Sequence, residues 1–476
     1  MRRWLARLVF AVSGALALAW FLVRVIPKPR RAFYPCQRVA FPLASGFVIW
    51  LFGLLGMGLS WRHARRHLWG SRGARAALLL VLGGLCLVVT LIHMPKGPAW
   101  AGLPEANSPL GEGRGIHPGR VVWVHDERAT DWDGVTSPEP WWASNRTDRA
   151  VVARMLHQGV QTLAGHSNTV EAWDAIFCHF NMERGKGDVS YTPGESIAIK
   201  VNFTTCYGST PPQTVNPGDY SKVATWGSYT NWRNHIDNSP QLTLELLDHL
   251  VNTVGVAQAS IHIGDTTTFI PKYYYDLLKA EFAGIHVFDY AGQMGRELAV
   301  PSSVLLTWST TNAAASLEDR IPDRFADADY IINMALLKCH DRAGITVCAK
   351  NHYGSLIRKP PAAGYLNLHL YLPMESPGNP SLPGTGHYRA LVDLMGHREL
   401  GGKTVLHVVD GLFGGHNWLA YPLKWNSPPF NGDWPSSILL SQDPVAIDSV
   451  AYDFLAAEWP DMVLDADMDG GAVDYL

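Results

Sequence analysis

The chain has 476 residues, of which 17% are charged, and its formal net charge is −3 at pH 7. This length exceeds that of one ordinary domain, which is about 100–200 residues. The basic residues form no stripe outside the N-terminal region, so the charge pattern gives no basis for nucleic-acid binding. The charged fraction lies below the roughly 25% of soluble proteins because the N-terminal fifth of the chain is membrane-like.

Three apolar segments in the N-terminal region predict transmembrane helices. The segment 41–60 is uncharged and long enough to cross a bilayer core, which takes about 20 helical residues. The segment 76–92 is slightly shorter and equally apolar. The segment 4–23 contains Arg7, which can reach the interface from near a helix end. A signal peptide is the alternative for this first segment, but two further spans behind it favour an uncleaved anchor and a membrane region over residues 1–96.

The basic residues around these spans predict the orientation of the chain. Three arginines lie at the beginning of the first span, and five lie between the second span and the third. Five basic residues lie in the first loop, and Lys96 follows the third span. By the positive-inside rule, the N-terminus is cytoplasmic and everything after residue 96 is extracytoplasmic. We therefore expect a multi-pass membrane protein whose large domain lies outside the cytoplasm.

Residues 97–120 are rich in Pro and Gly and predict a linker, and residues 121–476 predict an α/β domain. In that domain short apolar strands alternate with helices, which indicates a mostly parallel sheet with helices on both faces. The predicted strands are 196–203, 260–263, 285–288, 330–335 and 404–409, and the predicted helices begin near Pro240, Tyr273, Arg389 and Pro444. Two long insertions, 204–238 and 359–386, interrupt this pattern, and loops of such length are commonly lids or disordered segments.

Polar side chains stand at the carboxyl ends of the predicted strands. They are Lys200 and Asn202 on the polar face of the first strand, and Asp265, Lys338, His340 and Asp410 just after later strands. Each has an ordinary explanation as a turn or surface residue when it is taken singly. The carboxyl ends of parallel strands meet at one edge of a sheet, where open α/β sheets bind ligands, so the group predicts a pocket. Lysine, histidine and asparagine together suit a small anionic ligand that carries a carboxylate or a phosphate.

These residues have expected roles if the protein is an enzyme. His340 is the candidate acid/base group or metal ligand, and Lys338 and Lys350 would hold the negative charge of the substrate. Asp265 or Asp410 would orient His340 or bind a divalent metal together with it. The catalytic candidates are therefore His340, Lys338 and Asp265, and the metal candidates are His340, Asp265 and Asp410.

Two further patterns concern metals and cofactors. Asp465–Gly470 carries the carboxylates and the turn glycine of the first half of a calcium loop, but Leu476 stands where a Glu ligand is needed. A solvated acidic tail is the alternative for this segment. The cysteines outside the N-terminal region are scattered and form no CxxC, so the chain has no iron–sulfur cluster motif.

The tryptophans of the soluble part support a competing, non-catalytic hypothesis. Many of them, including Trp226 and Trp425, lie in polar or Pro-rich loops. Exposed aromatic loops can bind a glycan or a protein partner, and packing of the loops onto the domain is the alternative. An anchored binding module is therefore a second function class beside the enzyme.

Several ordered motifs also carry a family resemblance. They are KVNF (200–203), NSPQ (238–241), IGDTT (263–267), INMALLKCH (332–340), AKNHYG (349–354), VVDGLFGG (408–415) and SQDPVAIDSVAYDFL (441–455). In this series, over residues 195–455, the chain resembles the bacterial and archaeal family called domain of unknown function 362. The resemblance implies an architecture more than a mechanism.

The resemblance also implies a set of functional residues by motif position. They are Lys200, Asn202, Asp265, Lys338, His340, Lys350, Asn351, Asp410 and Asp443. In this setting Lys200, Asn202, Lys350, Asn351, Asp410 and Asp443 are expected to bind the ligand, although an Asp before a proline is also an ordinary helix N-cap. For a bacterial protein, the predicted spans would give a location in the inner membrane. Some relatives carry ferredoxin-like modules, which adds a redox accessory role as a third function class.

Overall fold

The computed structural model describes residues 112–204, 235–308, 319–341, 343–357, 390–418 and 420–463, with the single residues Leu18, Val48 and Leu368. The chain divides into two compact units, Met1–Leu110 and Gly111–Leu476. In these described ranges no helix is long and apolar enough to cross a membrane. The three predicted spans lie outside them apart from Leu18 and Val48, so the membrane region stays a prediction of the sequence.

Twelve strands occur in the described part of the second unit. They are β1 (Val121–His125), β2 (Ile197–Lys200), β3 (Ile261–Gly264), β4 (His286–Asp289), β5 (Glu297–Leu298), β6 (Pro301–Leu305), β7 (Arg320–Pro322), β8 (Tyr330–His340), β9 (Gly344–Thr346), β10 (Thr404–Gly415), β11 (Pro422–Leu423) and β12 (Ser437–Ser441). Most of the predicted strands are therefore present within a few residues of their expected bounds.

The same part of the chain contains nine α-helices. They are α1 (Arg149–Ala164), α2 (Thr169–Glu183), α3 (Pro240–Asp248), α4 (Lys272–Glu281), α5 (Asp323–Ala326), α6 (Cys348–Asn351), α7 (Ala390–Gly396), α8 (Pro444–Glu458) and α9 (Pro460–Val463). Ser239 and Asp443 cap α3 and α8 with side-chain oxygens, and Pro240 and Pro444 occupy the first helical positions, where a missing N–H costs nothing. The two N-caps are confirmed.

The main sheet has the strand order β1-β12-β10-β8-β2-β3-β4-β5, with β9 beside β8 and β11 beside β10. The central run from β10 to β5 is parallel, whereas β12 runs antiparallel to both β10 and β1. A mixed α/β fold with a mostly parallel central sheet is therefore confirmed.

The central strands are buried on both faces. Successive strand residues point to opposite sides of a sheet. Ile197 and Ile199 of β2 pack in one apolar cluster with α1, α2 and α3, and Ala198 packs in a second cluster with α7 and α8. Such two-sided burial explains why these strands read as continuous apolar runs in the sequence.

Two strands are longer than predicted, and this changes the position of several candidate residues. We expected strands to end at Ala335 and Val409, but β8 continues to His340 and β10 continues to Gly415. The prediction that Lys338, His340 and Asp410 follow their strands was therefore wrong. The extension of β8 is possible because β9 pairs with it in an antiparallel hairpin.

Candidate functional site

The candidate site lies where β8 and β10 extend past the carboxyl end of β2. The last residue of β2, Lys200, is level with Asn333 of β8, and Asn333 is level with His407 of β10. From that level β8 and β10 continue together, with Asp410 beside Leu336. At the end of β2, Asn202 contacts Asn238 of the segment that leads into α3, and Lys200 contacts Asn351 of α6.

A buried ion pair closes the end of β2. The Lys200 Nζ lies 2.6 Å from Asp265 Oδ2 and donates to Asn351 Oδ1 at 2.9 Å. Asp265 also accepts from the backbone N–H and the hydroxyl of Thr267. Burial lowers the pKa of Lys200, and the carboxylate of Asp265 opposes this shift. The charge of Lys200 is therefore balanced within the protein.

Asn351 connects this ion pair to the centre of the sheet. Its Nδ2 donates to Asn333 Oδ1 at 2.7 Å and to the carbonyl of Met334 at 3.1 Å. Its Oδ1 also accepts from Asn202 Nδ2 at 3.0 Å. The structure thus brings Lys200, Asp265, Asn351 and Asn202 together, as the pocket hypothesis requires.

Lys338 is the second buried cation at this place. It is fully buried, and its Nζ donates to Thr204 Oγ1 at 3.4 Å. No ion pair joins it to a carboxylate among the residues that the structure describes. Burial lowers the pKa of Lys338 to about 8; the positive charge of Lys200 acts in the same direction, and Asp237 and Asp265 oppose it.

Asn202 offers a hydrogen-bond acceptor beside Asn351, which also binds Lys200. The residue is 7% exposed, and its Oδ1 has no hydrogen-bond partner within the described ranges. A buried amide oxygen without a partner costs free energy, about 1–3 kcal/mol, unless something else satisfies it. The backbone N–H of Asn202 donates to Asn238 Oδ1 at 2.5 Å, so the side chain is held by a fixed backbone.

The segment before α3 adds two residues that the sequence did not single out. Burial lowers the pKa of His235 to about 4, and the positive charge of Lys338 adds to this. Asp237 accepts from the backbone N–H of Thr204 at 2.7 Å. Both residues fell inside the insertion predicted over 204–238 and so were not considered. The motif NSPQ directly after them was the available signal.

Asp410 has a structural function at the site. Its Oδ2 accepts from the backbone N–H of Ser239 at 2.6 Å, and its Oδ1 accepts from that of Leu412 at 3.2 Å. Burial raises its pKa to about 6, and these N–H bonds oppose the shift. Asp410 thus anchors the start of α3 above the sheet edge.

Among the contacts of the described residues, three predicted site residues have partners other than this group. His340 lies at the β8–β9 turn, where its contacts include Asp341 Oδ1 at 3.3 Å and the N–H of Ala343 at 3.3 Å. Lys350 Nζ lies 4.7 Å from the centre of the Tyr353 ring. Asp443 follows β12, which runs antiparallel to β10 and ends at Ser441, level with His407. Asp443 therefore lies near the opposite edge of the sheet, where the parallel strands begin.

Asp443 binds backbone N–H groups, and the metal candidates do not form a group in the described part of the chain. Asp443 accepts from the N–H groups of Val445, Ala446 and Arg114, which accounts for both its oxygens. In the described part of the chain, no group of three or more His, Cys, Asp or Glu side chains is arranged to hold a metal ion. The set His340, Asp265 and Asp410 is therefore not assembled there. The calcium-like segment lies outside the described residues.

Asp448 is a further residue whose role was missed. It lies in the first turns of α8, and its carboxylate accepts from the N–H groups of Cys348 and Ala349 at 2.8 and 2.9 Å. Those two residues begin α6, which carries Lys350 and Asn351. Burial raises the pKa of Asp448 to about 7, and the two N–H bonds oppose that shift.

The described tryptophans pack mostly inside the domain. Trp132, Trp141, Trp425 and Trp434 are buried, and Trp142 stacks on Tyr273 with ring centres 4.0 Å apart. Trp141 also donates to the carbonyl of His235 at 2.9 Å and so supports the site segment. Trp226 lies outside the described residues.

Comparison with known proteins gave one match. A family model described as a domain of unknown function matches residues 233–453. Neither the curated proteins nor the solved structures gave a match. The matched region includes Asp265, Lys338 and Asn351 but not β2, which carries Lys200.

Proposed function

We propose that the second unit binds a small anionic ligand at the carboxyl edge of β2 and β8, with Lys338 as the group that holds its charge. One observation carries the proposal. Lys338 is buried, and its hydrogen-bond partner among the described residues is a neutral hydroxyl, whereas the neighbouring Lys200 has its own carboxylate. A buried charge is costly unless it is paired, so a ligand carboxylate or phosphate would supply what Lys338 lacks.

The neighbours of Lys338 support the same proposal. Asn202 presents an amide oxygen without a partner in the described ranges, which could accept from a hydroxyl or a protonated group of the ligand. The ion pair of Lys200 and Asp265 is neutral as a pair, and Asp237 is the other carboxylate that acts on Lys338. Lys338 therefore supplies the positive charge, and Asn202 supplies orientation.

If the protein is an enzyme, we propose that Lys338 rather than His340 is the acid/base group. A lysine whose pKa lies at about 8 can both give and take a proton near neutral pH. His340 has less support because it lies at the β8–β9 turn with Asp341. A metal-assisted reaction has less support because the Asp265 carboxylate is already ion-paired with Lys200.

The test is ligand binding to the full-length protein and its Lys338→Met variant. Titration calorimetry with lactate, oxalate and inorganic phosphate would measure affinity, and native mass spectrometry would detect any small molecule retained on purification. Loss of a charge-assisted hydrogen bond should weaken binding about 10- to 100-fold.

Lys403→Met is the matched control. Lys403 precedes β10, at the opposite edge of the sheet, and pairs with Glu399. The Lys403→Met protein should bind the anions with the affinity of the wild-type protein. If the Lys338→Met protein bound each anion with the same affinity as the wild-type protein, the proposal would be contradicted.

The binding module built on tryptophan loops is less well supported. Trp425 is fully buried and packs against Phe430 and Trp459, so its removal should destabilise the domain rather than expose a changed surface. Trp142 is stacked on Tyr273. Trp123 is 38% exposed, but it lies on β1 and not in one of the loops that the hypothesis needs.

A further inference from the structure

Thr346 carries a buried hydroxyl on the face of the sheet that holds Lys338. The two residues are direct partners in the antiparallel pair of β8 and β9. Directly opposed residues of antiparallel strands point to the same face, with their Cβ atoms about 4.5–5.5 Å apart. Thr346 is 4% exposed, and its Oγ1 has no hydrogen-bond partner within the described ranges. Buried hydroxyls are normally hydrogen-bonded, so this position calls for a bound ligand or a solvent molecule.

The hydroxyl that contacts Lys338 cannot serve an anion in the same way. Thr204 Oγ1 accepts from Lys338 Nζ at 3.4 Å and donates its own proton to the carbonyl of Ile236 at 3.4 Å. A hydroxyl has one proton to donate. Thr204 therefore has none left for an anion, whereas the proton of Thr346 is uncommitted among the described residues.

The strand on the other side of β8 contributes no side chain at the level of Lys338. The partner of Lys338 in β10 is Gly415, and a Cβ atom placed on this glycine would lie only 3.0 Å from Ile236 Cγ2. An apolar side chain thus occupies the flank of Lys338 toward β10, and the hydroxyl of Thr346 stands on the flank toward β9. A negatively charged group bound to Lys338 on that flank meets Thr346.

We propose that Thr346 is a second anion-binding residue of the site, whose hydroxyl donates to an oxygen of the same carboxylate or phosphate group that Lys338 binds. This inference rests on the anion-binding function proposed above. An ammonium group acts as a point charge and does not by itself select a geometry. Donors on two adjacent strands bind two oxygens of one group and so favour an oxyanion in a single orientation.

Titration calorimetry of the full-length protein with acetate and inorganic phosphate tests the inference. Acetate is chosen because its carboxylate is its only polar group. Thr346→Val removes the hydroxyl at a similar side-chain volume, so both affinities should fall about 10-fold, as expected for one hydrogen bond to a charged group. Thr346→Ser keeps the hydroxyl and should stay within about 3-fold of the wild-type affinity, a difference smaller than the loss of that bond.

Thr147→Val is the matched control. Thr147 is also 4% exposed, and its Oγ1 likewise has no partner in the described part of the chain. It lies before α1, where its backbone pairs with Thr130. The Thr147→Val protein should keep the wild-type affinity for both anions. A loss equal to that of Thr346→Val would show that removal of any buried hydroxyl has this effect, and the inference would fail.

Thermal unfolding gives a second readout, which separates binding from a structural role. Without added anion, Thr346→Val removes an unsatisfied hydroxyl, so its unfolding midpoint should equal or exceed that of the wild-type protein. At the same phosphate concentration, the midpoint of the wild-type protein should rise more than that of the variant, since the variant binds more weakly. Unchanged affinity together with a lowered midpoint would show that the hydroxyl is only structural, which rules the inference out.

The Lys338→Met variant distinguishes this inference from the one on which it rests. Weaker binding by Lys338→Met with unchanged binding by Thr346→Val would refute the role of Thr346 and leave the anion site standing. Unchanged affinity in both variants, or no binding of either anion to the wild-type protein, would refute both.

Discussion

At the scale of single residues, the ion pair of Lys200 and Asp265 shows how a charge can be kept deep inside an α/β domain. Both side chains are almost completely buried, and Asn351 and Thr267 supply further hydrogen bonds. Such a pair stabilises the folded state little more than an apolar pair of the same volume would. Loss of one partner, however, leaves an isolated buried charge. Its effect on stability therefore depends on which partner is removed.

We expect Lys200→Met to lower the free energy of unfolding by about 3–5 kcal/mol, because Asp265 is left buried and unpaired. Urea denaturation followed by circular dichroism measures this change. The double variant Lys200→Met/Asp265→Asn should be more stable than the single one, since no charge remains. Lys272→Met removes an exposed pair with Asp276 and should cost less than about 1 kcal/mol. A double variant less stable than Lys200→Met would contradict this account.

At the scale of elements, Asp448 joins two helices that are distant in sequence. Its carboxylate lies in the first turns of α8 and binds the first N–H groups of α6, whose last residue Asn351 holds Lys200. Ionised Asp448 is buried without a cation among its described contacts, so its folded-state pKa is raised to about 7. The position of α6, and with it the site, depends on this carboxylate.

The raised pKa makes stability depend on pH in a defined direction. Protonated Asp448 is favoured in the folded state, so its contribution is fully present below pH 4 and is lost as pH rises toward 7. From pH 4.5 to pH 7 this loss amounts to about 3 kcal/mol. Asp448→Asn cannot titrate, so its free energy of unfolding should fall less over that range.

Urea denaturation of both proteins at the two pH values measures the difference. Burial also raises the pKa of Asp410, to about 6, but this residue is present in both proteins and cancels. Identical pH dependence of wild-type and variant stability would show that Asp448 stays ionised. The variant keeps one acceptor oxygen for α6, so a large loss of stability at pH 4.5 is not expected.

Local sequence rules identified most of these elements, and long-range pairing explains the remainder. Alternating apolar residues located β2, and Ser239-Pro240 and Asp443-Pro444 located two helix starts. The extension of β8 to His340 depends on β9, which is paired through a hairpin with no strong turn motif. Sequence patterns therefore located Lys200 and Asp265 at the sheet edge but not His340, and Asn351 came from the family resemblance alone.

The segment before α3 shows the same limit of prediction from local sequence. His235 and Asp237 interact electrostatically with Lys338, and Trp141, nearly a hundred residues earlier in the chain, donates to the carbonyl of His235. No periodicity within 204–238 indicates such a contact. Tertiary contacts between distant segments, rather than local propensity, decide which loop residues lie at the candidate site.

At the scale of the whole molecule, the sheet is not contained in the region that the family model matches. β2 lies before residue 233 and pairs with both β3 and β8. Without it, the strands from β3 to β5 lose their hydrogen-bonded link to β8 and β10. The helices α1 and α2, which also precede residue 233, cover one face of the sheet with Trp173 and Phe177.

We therefore expect residues 111–476 to fold by themselves and residues 233–476 not to fold. The shorter fragment lacks a central strand and exposes one apolar face of the sheet, and such a loss exceeds the net stability of about 5–15 kcal/mol that domains have. Near-ultraviolet circular dichroism and urea denaturation distinguish the two cases. The longer fragment should give a cooperative transition and bind the same anions as the full chain. A cooperative transition in the 233–476 fragment would show instead that the matched region is an independent folding unit and that β2, with Lys200, is an addition to it.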